Sequence, residues 1–200
     1  HWIDFDSNIA STQKGETLSD TVQTLQAMGI EHFIIRHADD HIYQAILPKL
    51  DNKLHIINAG NGTHQHPTQA LIDLYTLKAY FSNLSDIKIA IVGDIKHSRV
   101  AHSNITLLTQ QGVKDIHLVG PESFLEDIPN TKTFANLKEG IQDVDVIMLL
   151  RVQQERMTRI EIPDQAEYHQ HYGLTKKTIQ YANPKVKIMH PGPVNRDVEI

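Results

Sequence analysis

The run Ile87-Lys88-Ile89-Ala90-Ile91-Val92 constrains this 200-residue chain more than any other stretch. Its apolar density shows little alternation, so as a strand it must be covered on both faces, a condition met by a parallel sheet held between two layers of helix. The flanking sequence agrees. A glycine loop at Gly93 leads to a helix over residues 100–111 closed by Gly112. A strand over 116–119, a loop with Pro121, a short helix over 137–142 and a strand over 144–150 come next, then helices over 163–171 and 175–182 and a strand over 186–189. The earlier residues alternate in the same way. Leu18, Val22, Leu25 and Met28 mark an amphipathic helix, with Thr17 and Asp20 in a capping-box-like start and Gly29 at its end. A short buried strand over 32–36, a short helix over 42–50 and a strand over 54–58 complete this part. The pattern predicts an α/β chain of two linked domains, each a mainly parallel sheet flanked by helices, with a division near residues 81–86 and domain bounds of 1–81 and 82–200.

Residues 58–81 read as a strand end, a glycine loop and a helix start in direct succession. Gly60 and Gly62 permit backbone angles that other residues resist, and Pro67 suits a first helical turn because it has no N–H to leave unpaired. His66 is thereby set at a helix mouth and Gln69 one turn on along the same face, where free N–H groups and the positive end of the helix dipole favour an anion. Leu71, Leu74, Tyr75 and Leu77 are the expected buried stripe of that helix.

Polar residues fall at a recurrent place. Arg36, His66, Arg99, Arg151, Gln153 and His190 all follow predicted strands, and in open α/β sheets ligands bind outside the carboxyl ends of the strands. Together they describe a cleft rich in guanidinium and poor in carboxylate, suited to substrates with several phosphate or carboxylate groups.

Composition narrows the class further. The net charge of -5 argues against broad nucleic-acid affinity. With no cysteine there are no disulfides, thiolate metal sites or cysteine nucleophiles, which fits a reducing, cytoplasmic setting. No apolar run approaches the roughly 20 residues that span a bilayer, so no membrane partner is expected. Thirteen histidines invite a metal hypothesis, with His64 and His66, His169 and His171, and His37 and His41 as the pairs. None carries the Glu of a His-Glu-x-x-His helix or a cysteine pair, and no metal is expected. His1 in place of an initiator Met and the abrupt end at Ile200 read as cuts within a longer protein.

Six motifs, taken together and in order, resemble the catalytic chains of the aspartate carbamoyltransferase (aspartate transcarbamoylase) family. They are Lys14-Gly15-Glu16-Thr17, Ile35-Arg36-His37, His66-Pro67-Thr68-Gln69, Gly93-Asp94-Ile95-Lys96-His97-Ser98-Arg99, Arg151-Val152-Gln153-x-Glu155-Arg156 and His190-Pro191-Gly192-Pro193. The His-Pro-x-Gln motif is shared with ornithine carbamoyltransferases, whereas the Arg-Val-Gln-x-Glu-Arg run is typical of the aspartate enzymes. Pro191 also stands where the ornithine enzymes have Cys. The resemblance implies the carbamoyltransferase fold, with carbamoyl phosphate bound by the first domain, L-aspartate by the second, and the helix after His66 bridging the two. It further implies that the family's Ser-Thr-Arg-Thr-Arg phosphate loop lies upstream of residue 1 and the closing helices beyond Ile200, and that the chain alone is inactive.

By the same resemblance, Ser11 and Lys14 sit on a loop that reaches into the site of a neighbouring subunit in a homotrimer. Arg36, His66 and Gln69 hold carbamoyl phosphate, and Arg99, Arg151 and Gln153 hold the two carboxylates of aspartate. Gly192 and Pro193 lie against both substrates through the backbone, with a cis peptide bond between them. His66, Arg36 and Lys14 are the catalytic set, and no cofactor is implied. A regulatory chain or a dihydroorotase is a further partner known to such chains. The residue types suit the chemistry, because donors aimed at charge growing on a carbonyl oxygen and then on a leaving phosphate lower the barrier without a covalent intermediate.

Three other readings compete. A metal-dependent hydrolase would use His64 and His66, and a non-catalytic homologue would keep the fold and its anion binding without turnover. A nucleotide-dependent dehydrogenase lacks its glycine spacing at Val92-Gly93-Asp94.

Overall fold

A computed structural model of the chain describes residues 16–152 and 164–200. Ser11, Lys14, Gln153 and most of the Arg-Val-Gln-x-Glu-Arg run lie outside the described residues. By its internal contacts the chain divides into two compact units, His1–Gly62 and Thr63–Ile200.

In the first unit, helix α1 (Leu18–Ala27) opens with the capping box expected of Thr17 and Asp20: Asp20 N–H donates to Thr17 Oγ1 at 3.3 Å and Thr17 N–H to Asp20 Oδ2 at 3.0 Å. Strand β1 (His32–His37) runs parallel to β2 (His55–Asn61), with the short α2 (Ile42–Ile46) and a 3-10 turn at Leu47–Lys49 between them. Val22, Ile35, Ile42 and Ile46 form the core, with Phe33 and Ile56 packed against it. The expectation of a buried strand over 32–36 needs correcting. Only Ile35 is buried, while Ile34 and its register partner Ile57 are 59% and 48% exposed. Among the described residues this sheet has two strands, and its helices cover one face, so alternate side chains face outward.

The second unit starts with α3 (Pro67–Tyr80) and continues through β3 (Lys88–Val92), α4 (Arg99–Gln110), β4 (Asp115–Val119), β5 (Lys132–Phe134), α5 (Leu137–Gly140), β6 (Val146–Leu149), α6 (Gln165–Tyr172) and β7 (Lys187–Met189). Its five strands lie in the order β5-β4-β3-β6-β7, and every neighbouring pair is parallel. Ile89 and Ile91 of β3 face a layer that includes Leu74, Leu77, Ile105 and Leu108 from α3 and α4. Ala90 and Val92 face the opposite layer of Leu137, Ile141, Leu174 and Ala182. That is why the β3 sequence does not alternate: both faces are dry, and each fully buried Ile contributes on the order of 1.5–3 kcal/mol.

Three expectations for this unit differ from the structure. Residues 175–182 form a 3-10 turn at Thr178–Tyr181 instead of an α-helix, and Thr175 and Thr178 exchange local hydrogen bonds there that compete with helical pairing. The helix expected from 163 begins at Gln165, because Asp164 caps it by accepting from the N–H groups of Ala166 and Glu167. In α3 only Leu74 and Leu77 of the expected stripe are buried. Leu71 is 56% and Tyr75 80% exposed, because the face that meets α4 is the one carrying Ala70, Asp73, Leu74 and Leu77.

Candidate active site

In the sheet of the second unit, the chain steps from β3 outward to β4 and β5, then returns to the other side of β3 with β6 and β7. In open α/β sheets ligands bind where strand order reverses, outside the carboxyl ends of the central strands. Three of the segments singled out in the sequence leave at that edge.

After β3, Gly93 has φ +132, and a β-carbon there would lie 3.0 Å from Leu150 Cβ and 3.1 Å from Leu150 O, so the exits of β3 and β6 touch backbone to backbone. The next residue, Asp94, is fully buried and accepts from His97 N–H at 3.2 Å, with His97 Nδ1 3.0 Å from the same oxygen. This turn delivers Ser98 as the cap of α4 and Arg99 as its first residue, 7% exposed. After β6, Arg151 is half-buried and follows Leu150 directly.

After β7, the chain makes the turn His190-Pro191-Gly192-Pro193. The Gly192–Pro193 bond is cis, as expected, and Gly192 N–H donates to His190 Nδ1 at 2.8 Å. The buried carboxylate of Glu199 fastens the last two exits together. It accepts from Val152 N–H at 2.9 Å, from Asn195 N–H at 2.7 Å and from Asn195 Nδ2 at 2.9 Å. His190 Nε2 is buried 4.0 Å from Glu199 Oε2 and has no hydrogen-bond partner among the described residues. Burial pushes the His190 imidazole below its ordinary range, with the Glu199 charge pulling the other way. Arg99, Arg151, Gly192 and Pro193 therefore share one edge of one sheet.

His66 and Gln69 are held beside α4. His66 stands at the N-cap position of α3 without a side-chain capping bond, Pro67 is at the first helical position as expected, and His66 N–H donates to Ser103 Oγ at 2.8 Å. Ser103 lies one turn beyond Arg99 on α4. Thr68 Oγ1 is 3.3 Å from His66 Nδ1; when that hydroxyl donates, the ring proton is on Nε2. Gln69 Nε2 donates to Asp73 Oδ1 at 3.0 Å, and Asn104 Nδ2 donates to Asp73 Oδ2 at 2.8 Å. Burial raises the Asp73 carboxyl above its ordinary range, and these two hydrogen bonds oppose the shift. Arg36 is an exposed residue of β1 in the first unit.

The supporting residues Asp73, Ser103, Asn104 and Glu199 were not singled out by sequence. Asp73 alone carried a signal, since it stands four residues after Gln69 on one helical face. Among the described residues, no group of three or more His, Asp or Glu side chains is placed to hold a metal ion, and no helix is long and apolar enough to cross a membrane.

Residues 1–79 match the family model described as the carbamoyl-P binding domain of aspartate/ornithine carbamoyltransferase, and residues 85–200 match its Asp/Orn binding domain. Solved structures of aspartate transcarbamoylase from Trypanosoma cruzi are similar over 98% of this chain at 28% sequence identity. The complex with carbamoyl aspartate and phosphate gives a TM-score of 0.81 with 63% of that chain covered. The complex with N-(phosphonacetyl)-L-aspartic acid gives 0.84 with 64% covered, and that with carbamoyl phosphate and aspartate 0.81 with 65% covered. The chain thus spans just under two thirds of the length of these relatives.

Proposed function

The chain belongs to the aspartate/ornithine carbamoyltransferase family, and from that premise we propose that it carries substrate sites of an enzyme that transfers the carbamoyl group of carbamoyl phosphate to the amine of L-aspartate. The products are N-carbamoyl-L-aspartate and phosphate, in an early step of cytoplasmic pyrimidine biosynthesis. The observation that carries this reading is the convergence of Arg99, Arg151 and the Gly192–Pro193 turn on the carboxyl edge of β3, β6 and β7, at the reversal of strand order. Two guanidinium groups in such a crevice suit a dicarboxylate acceptor. Ornithine, which presents an ammonium in place of the second carboxylate, gives them less to bind.

In this reading the neutral aspartate amine attacks the carbonyl carbon. A C–N bond forms, negative charge grows on the carbonyl oxygen, and the C–O bond to phosphate then breaks with its electron pair leaving on phosphate. The departing phosphate accepts the amine proton. His66, with its proton on Nε2, donates to the carbonyl oxygen, and Arg36 stabilises the same charge; Gln69 holds the carbamoyl group. Gln153 completes the aspartate contacts. The functional division falls near residue 81, so α3 belongs with the carbamoyl phosphate side while packing on α4. The working assembly is a homotrimer in which Ser11 and Lys14 of one subunit enter the site of the next.

The test is a product assay on the complete protein. Formation of carbamoyl aspartate from carbamoyl phosphate and aspartate supports the reading, and carbamoylation of ornithine in its place, or no transfer at all, rejects it.

A further inference from the structure

We infer that Asp73 is a positioning residue that fixes which end of the Gln69 amide faces the substrate, and thereby selects a donor group bearing N–H over an isostere without it. The inference rests on the reading above, in which Gln69 holds the carbamoyl group.

A glutamine amide presents either an oxygen or an NH2 to a given direction, and the two orientations have almost the same shape. A neighbour that can only accept resolves them. The Asp73 carboxylate is such a neighbour: its side chain is buried between α3 and α4, and Gln69 Nε2 lies 3.0 Å from Oδ1. With the NH2 end turned inward, Gln69 Oε1 is the atom left to face outward as an acceptor. An outward acceptor matches the NH2 of a carbamoyl group and has nothing to pair with in an acetyl group.

Asp73 is itself locked. Its Oδ2 accepts from Asn104 Nδ2 at 2.8 Å, and the same Asn104 nitrogen donates to Val100 O at 3.1 Å inside α4. A backbone carbonyl cannot donate, so the Asn104 amide keeps its NH2 toward both oxygens. The relay therefore has one direction: Val100 O orients Asn104, Asn104 holds Asp73, and Asp73 orients Gln69.

This direction gives the isosteric substitution Asp73→Asn a defined outcome. Asn104 still needs an acceptor, so the new amide turns its oxygen to Asn104 and its NH2 to Gln69. Gln69 must then reverse, with Oε1 inward and NH2 outward, where it confronts the NH2 of the carbamoyl group. In the complete protein, D73N should raise the KM for carbamoyl phosphate at least tenfold, in line with a donor facing a donor. The inhibition constant of acetyl phosphate, with methyl where carbamoyl phosphate has NH2, should change by less than about threefold. A merely structural lesion would weaken both ligands alike.

A second measurement does not depend on turnover. With glutamine side chains selectively labelled for NMR, the Gln69 amide resonances should shift in D73N. In the unsubstituted protein the Gln69 amide protons should exchange with solvent at least tenfold more slowly than those of exposed Gln110. Unchanged resonances, or exchange as fast as that of Gln110, overturn the inference whatever the kinetics show. Equal weakening of carbamoyl phosphate and acetyl phosphate overturns it as well. If the resonances respond while the unsubstituted protein transfers no carbamoyl group, the assignment of function falls and the orienting role of Asp73 stands.

Discussion

The N–H of His66 and the hydroxyl of Ser103 meet at 2.8 Å, so the residue that starts α3 is tied to the second turn of α4. Ser103→Ala would strand that N–H in a half-buried site. The expected cost is about 1–3 kcal/mol of stability, read as a lower urea midpoint at unchanged slope. Turnover should fall as well, because His66 loses the bond that fixes its backbone. An unchanged midpoint would mean that another group takes up the N–H.

Arg151 leaves β6 at the reversal of strand order. On the proposed reading it holds a carboxylate of aspartate, and replacing it with Ala in the complete protein should remove a charged, two-pronged contact worth about 1.5–3 kcal/mol. The aspartate requirement should therefore rise at least tenfold with little change in the affinity of a phosphate analogue. If the phosphate analogue weakens and aspartate dependence stays put, Arg151 serves the other substrate.

Glu199 makes three hydrogen bonds to the segments after β6 and β7. Glu199→Ala leaves the Val152 N–H, the Asn195 N–H and the Asn195 amide without their acceptor, a loss of at least about 3 kcal/mol if each costs 1 or more. Thermal unfolding measures this. The surviving folded protein should also need more aspartate, since Val152 is the neighbour of Arg151. A small stability loss with a normal aspartate requirement would show that the two exits are held apart from Glu199.

His190 supplies a pH dependence. Its imidazole is pushed below the ordinary value of 6.5 by burial, so the folded state prefers it neutral. The sign follows: the stability it contributes is present above 6.5 and is lost as pH falls through the lower folded value. Urea unfolding followed from neutral to mildly acid pH should show that decline, and His190→Gln should flatten it. A slope identical in the two proteins would assign the decline to other groups.

Shared sites are tested by exchange between subunits. Complete chains carrying Lys14→Ala and His66→Ala should each be nearly inactive. Dissociated, mixed and reassembled, they should regain part of the activity through sites that pair a normal Lys14 with a normal His66 from the neighbour. Confirmed exchange with no recovery would confine Lys14 to its own chain or remove it from the site.

What could be read from the sequence follows from the range of the forces involved. The run 87–92 is buried on both faces, and its composition says so directly; β5, with Lys132 and Thr133 both exposed, carries no such mark. Thr17 and Asp20 lie three residues apart, and Gly29 bears φ +91, so both ends of α1 are local matters. Tyr75 was expected inside because apolar periodicity does not say which of two adjacent apolar faces is covered. At the site, Arg99, Arg151 and His190 were visible because strand ends are visible. Ser103, Asn104 and Glu199 were not, for the site partners they hold, His66, Asp73 and Val152, stand 37, 31 and 47 residues away, and Ser, Asn and Glu at such separations announce nothing.

The contact between Gly93 and Leu150 limits how such a cleft could be redesigned. With a β-carbon at Gly93 only 3.0 Å from Leu150 Cβ, the loop that presents Arg99 and the loop that presents Arg151 spring from a common hinge post. Grafting a longer loop after either strand would change reach above that post but not the spacing at its base. Accommodating a bulkier ligand between these two loops therefore calls for moving whole strands, not for lengthening either loop.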